Sequence, residues 1–277
     1  MNVAVILTCF NRSQKTSNCL RTLITGNPSL YFRFIVVNDG STDDSAQELL
    51  KIDEEYHNVT LINTEGNLYY SRSMRRGMEW LNNSGKRYDY VLLVNDDVTF
   101  NAGAVEKLIK ESEAKDGAII VGATCDDKGN FTYGGVRNKG AVAVEYISNE
   151  HPEVHCDSFN ANCALIPWKD YVSVGPMDGY YAHAMGDFDY GFDLHRHGAK
   201  IYTSSFLVGV CNRNPVAGTW GDTSLSFGER LRKKENPKGL PLKSYFHYLK
   251  KNYGVGKAMI FSITPYIKML LGQLRSN

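Results

Sequence analysis

Three polar segments follow apolar, strand-like runs in the first hundred residues, and their side chains are of types that bind nucleotides and cations. They span residues 8–12, 38–41 and 95–97. In the third, Asp96 and Asp97 come directly after the run VLLV. Adjacent carboxylates beside a core are costly unless a cation, a helix N-terminus or solvent pairs with them. Carboxylate oxygens are ligands that Mg²⁺ and Mn²⁺ prefer, although a lone Asp-Asp pair is more typical of a turn.

The elements that carry these segments alternate between strand-like and helix-like patterns as far as residue 125. The strand-like runs are VAVIL, RFIVV, NVTLIN, YVLLV and AIIVGAT. Apolar runs separated by helices predict a parallel sheet covered on both faces, with its ligand beyond the carboxyl ends of the strands. The three polar segments therefore share one edge. No GxGxxG and no GxxxxGK[ST] follows a strand, which argues against a dinucleotide fold and a P-loop.

The second half of the chain has a different pattern and no linker separates it from the first. A turn at DDKGN, the loosely alternating AVAVEYI and the short run NCALIPW predict a mixed extension of the same domain. Before residue 3 there is no room for a targeting segment, and the six cysteines show no metal-binding spacing. We therefore expect reduced thiols in a cytoplasmic protein.

Four motifs together resemble the family 2 glycosyltransferases of the GT-A fold. They are VILTCFNR, VVNDGSTDDS, a GN…GM segment and VLLVNDD, in this order and spacing, and the resemblance extends from residue 3 to about residue 252. It implies an α/β protein whose Rossmann-like, mixed but mostly parallel sheet is flanked by helices, with a C-terminal helical tail. It implies a catalytic domain over residues 1–228, with a nucleotide-sugar-binding half (1–125) and an acceptor-side half (126–228), followed by a tail (229–277).

The resemblance also implies roles for residues of the donor site. Asp97 corresponds to the metal ligand of the DxD-type motif, for Mn²⁺ or Mg²⁺. Six residues are implied to bind the nucleotide or the donor sugar: Thr8, Phe10, Arg12, Asp39, Arg75 and Asp96. The residues alone leave simpler interpretations open, in which Asp39 caps a turn, Thr8 bonds to the backbone and Arg75 lies on a solvated helix face.

A second acidic cluster lies in HAMGDFDYGFDLHRHG and is similar to the family's ED-type motif. This implies Asp187 as the catalytic base and Asp189 as the neighbouring acid, but Gly186 replaces the usual Glu, so Asp189 is an alternative base. A carboxylate in this role accepts the acceptor hydroxyl's proton during inversion. The nearby histidines, including His183, are interpreted as packing or surface residues. The family's metal-binding His is replaced here by Cys211 or Asn212, which leaves the third ligand open.

The tail is basic and rich in aromatic residues. Residues 229–277 contain eleven Lys or Arg and two acids, whereas the remainder contains twenty and twenty-eight. Aromatic and lysine side chains interleaved in this way suit an anionic membrane surface. Our hypothesis is peripheral contact with the inner face of the plasma membrane, and the alternative is a helix packed on the catalytic domain. Nucleic acid is not an expected partner.

These patterns predict a metal-dependent, inverting hexosyl or deoxyhexosyl transferase. Its donor is expected to be a UDP- or dTDP-sugar and its acceptor a glycan or lipid-linked oligosaccharide, in the assembly of a cell-surface polysaccharide. Two alternatives remain from the sequence: a sugar-nucleotide pyrophosphorylase, and a noncatalytic glycan-binding protein or membrane scaffold. The first is disfavoured because TCFNRS lacks the glycine-rich loop that such an enzyme needs.

Overall fold

A computed structural model describes residues 1–140 and 142–271 of the chain. Strands and helices alternate through the first half. The strands are β1 (Asn2–Cys9), β2 (Tyr31–Asn38), β3 (Val59–Asn63), β4 (Tyr90–Val94), β5 (Thr99–Phe100) and β6 (Ile119–Cys125). The helices are α1 (Ser13–Gly26), α2 (Ser45–Tyr56), α3 (Tyr69–Asn83) and α4 (Ala104–Ala114).

The second half adds short strands and then helices. The strands are β7 (Gly135–Asn138), β8 (Val144–Ile147), β9 (His155–Cys156), β10 (Ser158–Phe159), β11 (Cys163–Pro167) and β12 (Ile201–Val210). Helices α5 (Trp168–Val174) and α6 (Gly186–Arg196) lie between β11 and β12. The tail forms α7 (Phe227–Glu235), α8 (Leu242–Tyr253), α9 (Val255–Phe261) and α10 (Thr264–Leu270).

The central sheet is mixed, in the order β3-β2-β1-β4-β11-β6-β12-β5. Its first four strands run parallel, and β12 runs parallel to β6. Strand β11 lies antiparallel between β4 and β6. Because β11 starts opposite the end of β4, with Cys163 paired to Val94, the turn before β11 lies at the carboxyl edge of the parallel strands.

Helices cover both faces of this sheet, as the continuous apolar runs predict. Alternate residues of β1 enter opposite cores: Val5 and Leu7 pack toward α1, α2 and α4, whereas Ala4 and Ile6 pack toward α3, α5 and α6. All four side chains are fully buried. Each large apolar side chain buried in this way stabilises the fold by roughly 1.5–3 kcal/mol. A small second sheet, β10-β7-β8, lies beside the main one.

The predicted helical tail is present and packs on the rest of the chain. Helix α8 contacts α6, where Tyr248 packs on Phe192. Lys234 of α7 is fully buried, with its Nζ 3.9 Å from the centre of the Tyr266 ring and donating to the carbonyl of Leu240. The predicted boundary at residue 228 falls within α7, and the division into domains stays a prediction.

None of the helices within residues 1–140 and 142–271 is both long enough and apolar enough to cross a membrane. The predicted tail also includes residues 272–277, which lie outside the described residues.

Candidate active site

The ends of β1, β2 and β4 lie side by side, so the three polar segments share one edge of the sheet. Cys9 pairs with Asn38 at the ends of β1 and β2. The hydroxyl of Thr8 donates to the carbonyl of Val37 at 3.1 Å, which is the backbone bond considered from the sequence. Phe10, two residues later, is 47% exposed. Thr8 thus lies within the sheet, whereas Phe10 offers an open aromatic face.

The Asp39 carboxylate organises the segment that leads into α3. Its Oδ1 accepts hydrogen bonds from the Thr64 hydroxyl (2.9 Å) and the Leu68 N–H (3.1 Å). Its Oδ2 accepts one from the Tyr69 N–H at 2.8 Å. These bonds hold Tyr69 at a φ of 61°, a left-handed conformation that costs a non-glycine residue free energy. The predicted contact of Asp39 with the base stays a prediction.

Two glycines bring the same segment against the turn after β2. Gly40 has a φ of 73°, and a Cβ added there lies 2.7 Å from the Gly66 Cα. Only glycine permits this backbone contact, because the added carbon overlaps the opposing chain. Gly40, the glycine of NDGS, therefore allows the turn after β2 to pack directly on the Gly66 backbone next to Asp39.

Asp96 and Asp97 converge on one cation, the Arg12 guanidinium. Arg12 Nη1 lies 3.0 Å from Asp96 Oδ1 and 3.1 Å from Asp97 Oδ2. Asp96 also accepts a hydrogen bond from the Thr16 hydroxyl at 3.2 Å. Burial raises the pKa of Asp96 to about 6, although the charge of Arg12 opposes that rise. The predicted donor residues Arg12 and Asp96 and the predicted metal ligand Asp97 thus meet at one point.

These two carboxylates fit a divalent cation that the donor's phosphates help to bind. Their oxygens already point at a shared positive centre, and Mg²⁺ commonly uses one or two carboxylates plus substrate phosphates. Within the described residues, no group of three or more His, Cys, Asp or Glu side chains is arranged to hold a metal ion.

Neither candidate for a third ligand is suited to a hard cation. The Cys211 thiol lies 3.8 Å from Asp97 Oδ1, and burial raises its pKa far above the ordinary value, so the sulfur stays protonated. Asn212 instead binds Asp127, with its Nδ2 donating to Asp127 Oδ2 at 2.7 Å. Mg²⁺ and Mn²⁺ favour oxygen ligands, which Cys211 lacks, and the amide oxygen of Asn212 already accepts a hydrogen bond from the Asp127 N–H at 3.2 Å.

Asp187 lies in the first turn of α6 and is buried. Its Oδ1 accepts a hydrogen bond from the Phe188 N–H at 2.9 Å, and its Oδ2 accepts one from the Ala161 N–H at 3.3 Å. Burial raises the pKa of Asp187 to about 6, and the two backbone bonds oppose that rise. A carboxylate with this pKa is ionised at neutral pH and still basic enough to accept a proton.

The turn at residues 160–162 joins the two acidic clusters. Its Ala161 N–H binds Asp187, as described above. The carbonyl of the next residue, Asn162, accepts a hydrogen bond from the Asn95 N–H at 3.2 Å, and the two asparagine side chains also bond to each other. Asn95 directly precedes Asp96. The sequence patterns did not reveal this turn, because its importance depends on β11 running antiparallel to β4.

Asp189, the alternative base, forms an ion pair and a hydrogen bond with residues of the tail. Its carboxylate is fully buried, with Oδ2 2.6 Å from the Lys251 Nζ and Oδ1 accepting from the Asn252 Nδ2 at 2.7 Å. Burial raises the pKa of Asp189, and the Lys251 partner opposes that rise. Asp187 has no such cationic partner among the described residues. Of the two carboxylates, Asp187 is therefore the better placed to accept a proton from a substrate.

Arg75 does not join the acid pair. Its Nε donates to Glu79 Oε1 at 2.7 Å, and its Nη1 donates to the carbonyl of Met177 at 2.7 Å. As arranged here, Arg75 connects α3 to the loop that leads into α6. Its predicted role in donor binding stays a prediction.

The Tyr70 hydroxyl and the His183 Nδ1 are among the buried polar atoms that have no hydrogen-bond partner within the described residues. Burial raises the pKa of Tyr70 well above its ordinary value, and the nearby charges of Asp187, Asp97 and Asp96 raise it further. Tyr70 therefore lies between the two acidic clusters. Unpartnered buried donors are rare and often belong to ligand contacts. The sequence offered no signal for Tyr70, and His183 was interpreted as a packing or surface residue.

The tail also reaches the donor side of the site through Lys238. Its Nζ lies 5.6 Å from the centre of the Phe10 ring. Burial, together with the charges of Lys238 and Arg12, lowers the pKa of His183 to about 4. A lysine from the loop between α7 and α8 thus lies near the first polar segment. In the sequence, this lysine is recognisable only as one of the basic residues of the tail.

The fold of the chain is the GT-A glycosyltransferase fold that the sequence predicts. S. aureus TarS 1–349 superposes with a TM-score of 0.56 at 11% identity, covering 95% of this chain and 73% of that one. The mannosyltransferase PcManGT from Pyrobaculum calidifontis, in complex with GDP-Man and Mn²⁺, has a TM-score of 0.56 at 12% identity. That match covers 96% of this chain and 74% of PcManGT. At these identities the likeness establishes the fold alone.

The chain belongs to glycosyl transferase family 2, whose model matches residues 4–161. This result confirms the predicted family, and it argues against the alternative of a sugar-nucleotide pyrophosphorylase. Two curated relatives are the N-acetylglucosaminyl-diphospho-decaprenol L-rhamnosyltransferases of Mycobacterium tuberculosis strains CDC 1551 / Oshkosh and ATCC 25618 / H37Rv. Each is 24% identical over 201 residues, which is 63% of this chain and 64% of the relative's length.

Proposed function

We propose that the protein transfers one sugar from a nucleoside diphosphate donor to a hydroxyl acceptor with inversion at the anomeric carbon. The observation that carries this proposal is the turn at residues 160–162, which connects both acidic clusters. In it the Asn95 N–H donates to the Asn162 carbonyl at 3.2 Å, while the Ala161 N–H donates to Asp187. Direct displacement needs one group that stabilises the leaving group and another that activates the nucleophile on the opposite side.

On the donor side, Asp97 would bind the cation, Asp96 would lie beside the donor sugar and ribose, and Arg12 would bind the diphosphate. A bound Mn²⁺ or Mg²⁺ neutralises charge that develops on the departing diphosphate. Arg12 is 43% exposed at its side chain and pairs with both acids, so it can move from them to a phosphate with little loss of packing. Charge-assisted bonds from arginine to phosphate are among the stronger ones in proteins. The predicted donor remains a UDP- or dTDP-sugar that carries a hexosyl or deoxyhexosyl group.

On the acceptor side, Asp187 takes the proton of the attacking hydroxyl. Its two backbone hydrogen bonds fix the carboxylate, and its pKa of about 6 keeps it ionised at neutral pH. The unpartnered Tyr70 hydroxyl lies near both acidic clusters and would donate to the transferred sugar. Asp189 positions α6 through its bonds to the tail and takes no proton.

The acceptor is proposed to be a glycan or lipid-linked oligosaccharide used in cell-surface polysaccharide assembly. The name of the mycobacterial relatives specifies a diphospho-decaprenol substrate, which supports an acceptor of the lipid-linked kind. The tail is proposed to touch the inner face of the plasma membrane. Six apolar side chains of α9, α10 and their flanking residues support that contact, since each is at least 47% exposed: Met259, Ile260, Ile263, Ile267, Leu270 and Leu271.

Thermal unfolding with a panel of nucleotide sugars tests the donor and metal assignments together. We expect one UDP- or dTDP-sugar to raise the Tm in the presence of Mn²⁺. At a ligand concentration one hundred times its Kd, the free energy of unfolding should increase by about 2.7 kcal/mol. Asp97→Ala should abolish the metal-dependent part of this shift and sugar transfer. The control Glu54→Ala removes an exposed carboxylate of α2 and should change neither.

Two results would contradict the proposal. Unchanged activity and unchanged metal-dependent stabilisation in Asp97→Ala would remove the metal assignment. Binding of a glycan without turnover of any nucleotide sugar would favour the noncatalytic glycan-binding protein or scaffold instead.

A further inference from the structure

A groove of about 430 Å³ lies between the tail and the loop that precedes α6. Tyr180 of that loop forms one wall, and Lys243, Phe246, His247 and Lys250 of α8 form the other. The four α8 residues follow one another at intervals of three, one and three positions, so they share one face of the helix. The α8 wall of the groove is therefore one continuous face of that helix.

The aromatic wall of the groove is held in place. The Tyr180 and His247 rings stack, with centroids 4.0 Å apart and planes 13° apart. His247 Nε2 lies 3.0 Å from Asp178 Oδ2, and Lys251 Nζ lies 3.6 Å from the same oxygen. Tyr180 is nevertheless 46% exposed. An ordered aromatic surface that stays open to solvent suits a ligand with an apolar or sugar face.

Lys243 and Lys250 supply positive charge that the described part of the chain does not neutralise with a carboxylate. The next lysine differs: Lys251 contacts Asp189 at 2.6 Å and Asp193 at 2.8 Å. Lys243 and Lys250 are exposed and both line the groove. Two ammonium groups on one helix face attract an anionic group, and the oxygens of a phosphate or diphosphate can accept charge-assisted hydrogen bonds from them.

The groove continues into an apolar helix face. Ile263 lines the groove and is 50% exposed. Ser262 and Ile263 keep near-helical dihedral angles between α9 and α10. Ile260, Ile263 and Ile267 therefore follow one another at helical spacing on one face, and all three are exposed. Apolar area of this kind, adjacent to paired cations, matches an amphiphile with a charged head.

We propose that this groove binds the phosphate or diphosphate group of a lipid-linked acceptor, with the hydrocarbon chain along the α9–α10 face. The inference rests on the proposed function, which requires an acceptor, and it assigns a site to that acceptor. The groove and the base share one segment of chain, because Tyr180 precedes Asp187 by only seven residues. Lys251 connects the two places as well, since it contacts both Asp178 behind the groove and Asp189 on α6.

Calorimetric titration with farnesyl diphosphate, a short isoprenoid diphosphate, tests the proposal on the full chain. We expect farnesyl diphosphate to bind at least about tenfold more tightly than inorganic pyrophosphate, because the apolar face contributes only to the former. The double variant Lys243→Gln/Lys250→Gln should weaken farnesyl diphosphate binding by about tenfold. The control Lys110→Gln/Lys128→Gln removes two exposed charges elsewhere and should leave the affinity unchanged.

Several results would overturn the assignment. Equal affinity for pyrophosphate and farnesyl diphosphate would indicate a phosphate site without a lipid component. Unchanged farnesyl diphosphate binding in the groove variant would place the ligand elsewhere. If only binding to phosphatidylglycerol vesicles weakened in that variant, the lysines would serve the bilayer surface and not the acceptor.

Nucleotide-sugar stabilisation, measured on the same preparations, separates this inference from the proposed function. The groove variant should keep the full shift in Tm with the donor and Mn²⁺, because the donor site lies at the strand ends. A wild-type protein that binds farnesyl diphosphate but no nucleotide sugar would refute the proposed function and retain the groove. The reverse result would refute the groove alone.

Discussion

Two opposing influences act on the carboxylate of Asp187. Burial favours its neutral form and raises its pKa from 3.8 to about 6, whereas the N–H groups of Phe188 and Ala161 favour the ionised form. The outcome is a carboxylate that ionises below neutral pH and accepts a proton more readily than an exposed aspartate. This balance is the physical basis for assigning it as the base.

The pH dependence of transfer follows from that pKa. A general base acts in its deprotonated form, so kcat/KM should rise with pH up to about 6 and then level off. Below the pKa the rate should fall about tenfold per pH unit. Initial rates between pH 4.5 and 8 at saturating metal measure this profile. A flat profile through that range would exclude Asp187 as the base.

The variant Asp187→Asn should abolish transfer and keep nucleotide affinity within about twofold, because the donor site lies across the turn at residues 160–162. The folded-state pKa is raised, so the ionised carboxylate costs folding free energy as pH rises from about 4 to about 7. The stability of the variant relative to the wild type should therefore increase over that range. Urea unfolding at several pH values measures it, and equal loss of activity and nucleotide binding would instead indicate misfolding.

The sequence predicts much at the level of residue types but little at the level of partners. Asp96, Asp97 and Asp187 are recognisable because acids follow a strand or begin a helix. The pairing of Arg12 with the acid pair was not predicted, since it depends on how β1 and β4 lie next to each other. Tyr70 was missed for the same reason: its hydroxyl becomes significant only when the fold brings carboxylates of two distant segments near it.

Among the elements, α6 and α8 are connected by hydrogen bonds, aromatic packing and an ion-pair cluster centred on one lysine. Lys251 contacts Asp178, Asp189 and Asp193, and the carboxylate of Asp189 is fully buried. A buried carboxylate that loses its cationic partner is left with an uncompensated charge. Lys251 therefore fixes the helix that carries Asp187 relative to the tail.

Lys251→Met should destabilise the protein by about 2 kcal/mol, less than for a wholly buried pair because Lys251 is partly exposed. Lys250→Met, one position earlier and without a carboxylate partner among the described residues, should change stability by less than about 0.5 kcal/mol. Chemical unfolding of both variants at neutral pH provides the comparison. Similar losses in the two variants would show that the Lys251 contacts do not stabilise α6.

The order of the elements was predictable, but the direction of one strand was not. Apolar runs of five to seven residues between helices predicted the parallel strands. The run NCALIPW was recognised as a strand, yet nothing local in it indicates that β11 enters the sheet antiparallel between β4 and β6. That direction places the turn at residues 160–162 in the site, so the missing information was topological.

Over the whole molecule, the basic charge of the tail is only partly available to a partner. Arg230 and Lys234 are buried, and Lys251 is paired with acids of the body. The surface that remains combines exposed lysines with the apolar face of α9 and α10. The sequence showed the excess of Lys and Arg in the tail, but it did not show which of these side chains are buried or paired with acids.

Ile260→Asp/Ile267→Asp should reduce binding to anionic liposomes by at least about tenfold, since it places two acids on the apolar face and repels the lipid headgroups. Val172→Asp introduces an acid at an exposed apolar position of α5, which is 53% exposed in the wild type, and should leave binding unchanged. Co-sedimentation at moderate salt measures the bound fraction. No binding by the wild-type chain, or equal loss in both variants, would refute membrane contact through the tail.

The contact of Arg12 with Asp96 and Asp97 has a consequence for how the donor arrives. Two unpaired carboxylates at the entrance of the site would repel an incoming nucleoside diphosphate, and the guanidinium between them offsets part of that repulsion. If Arg12 turned toward the phosphates of a bound donor, the acid pair would regain its negative charge where a divalent cation could share phosphate oxygens. In the proposed function, the side chain would thus favour joint arrival of donor and metal over prior loading of either one.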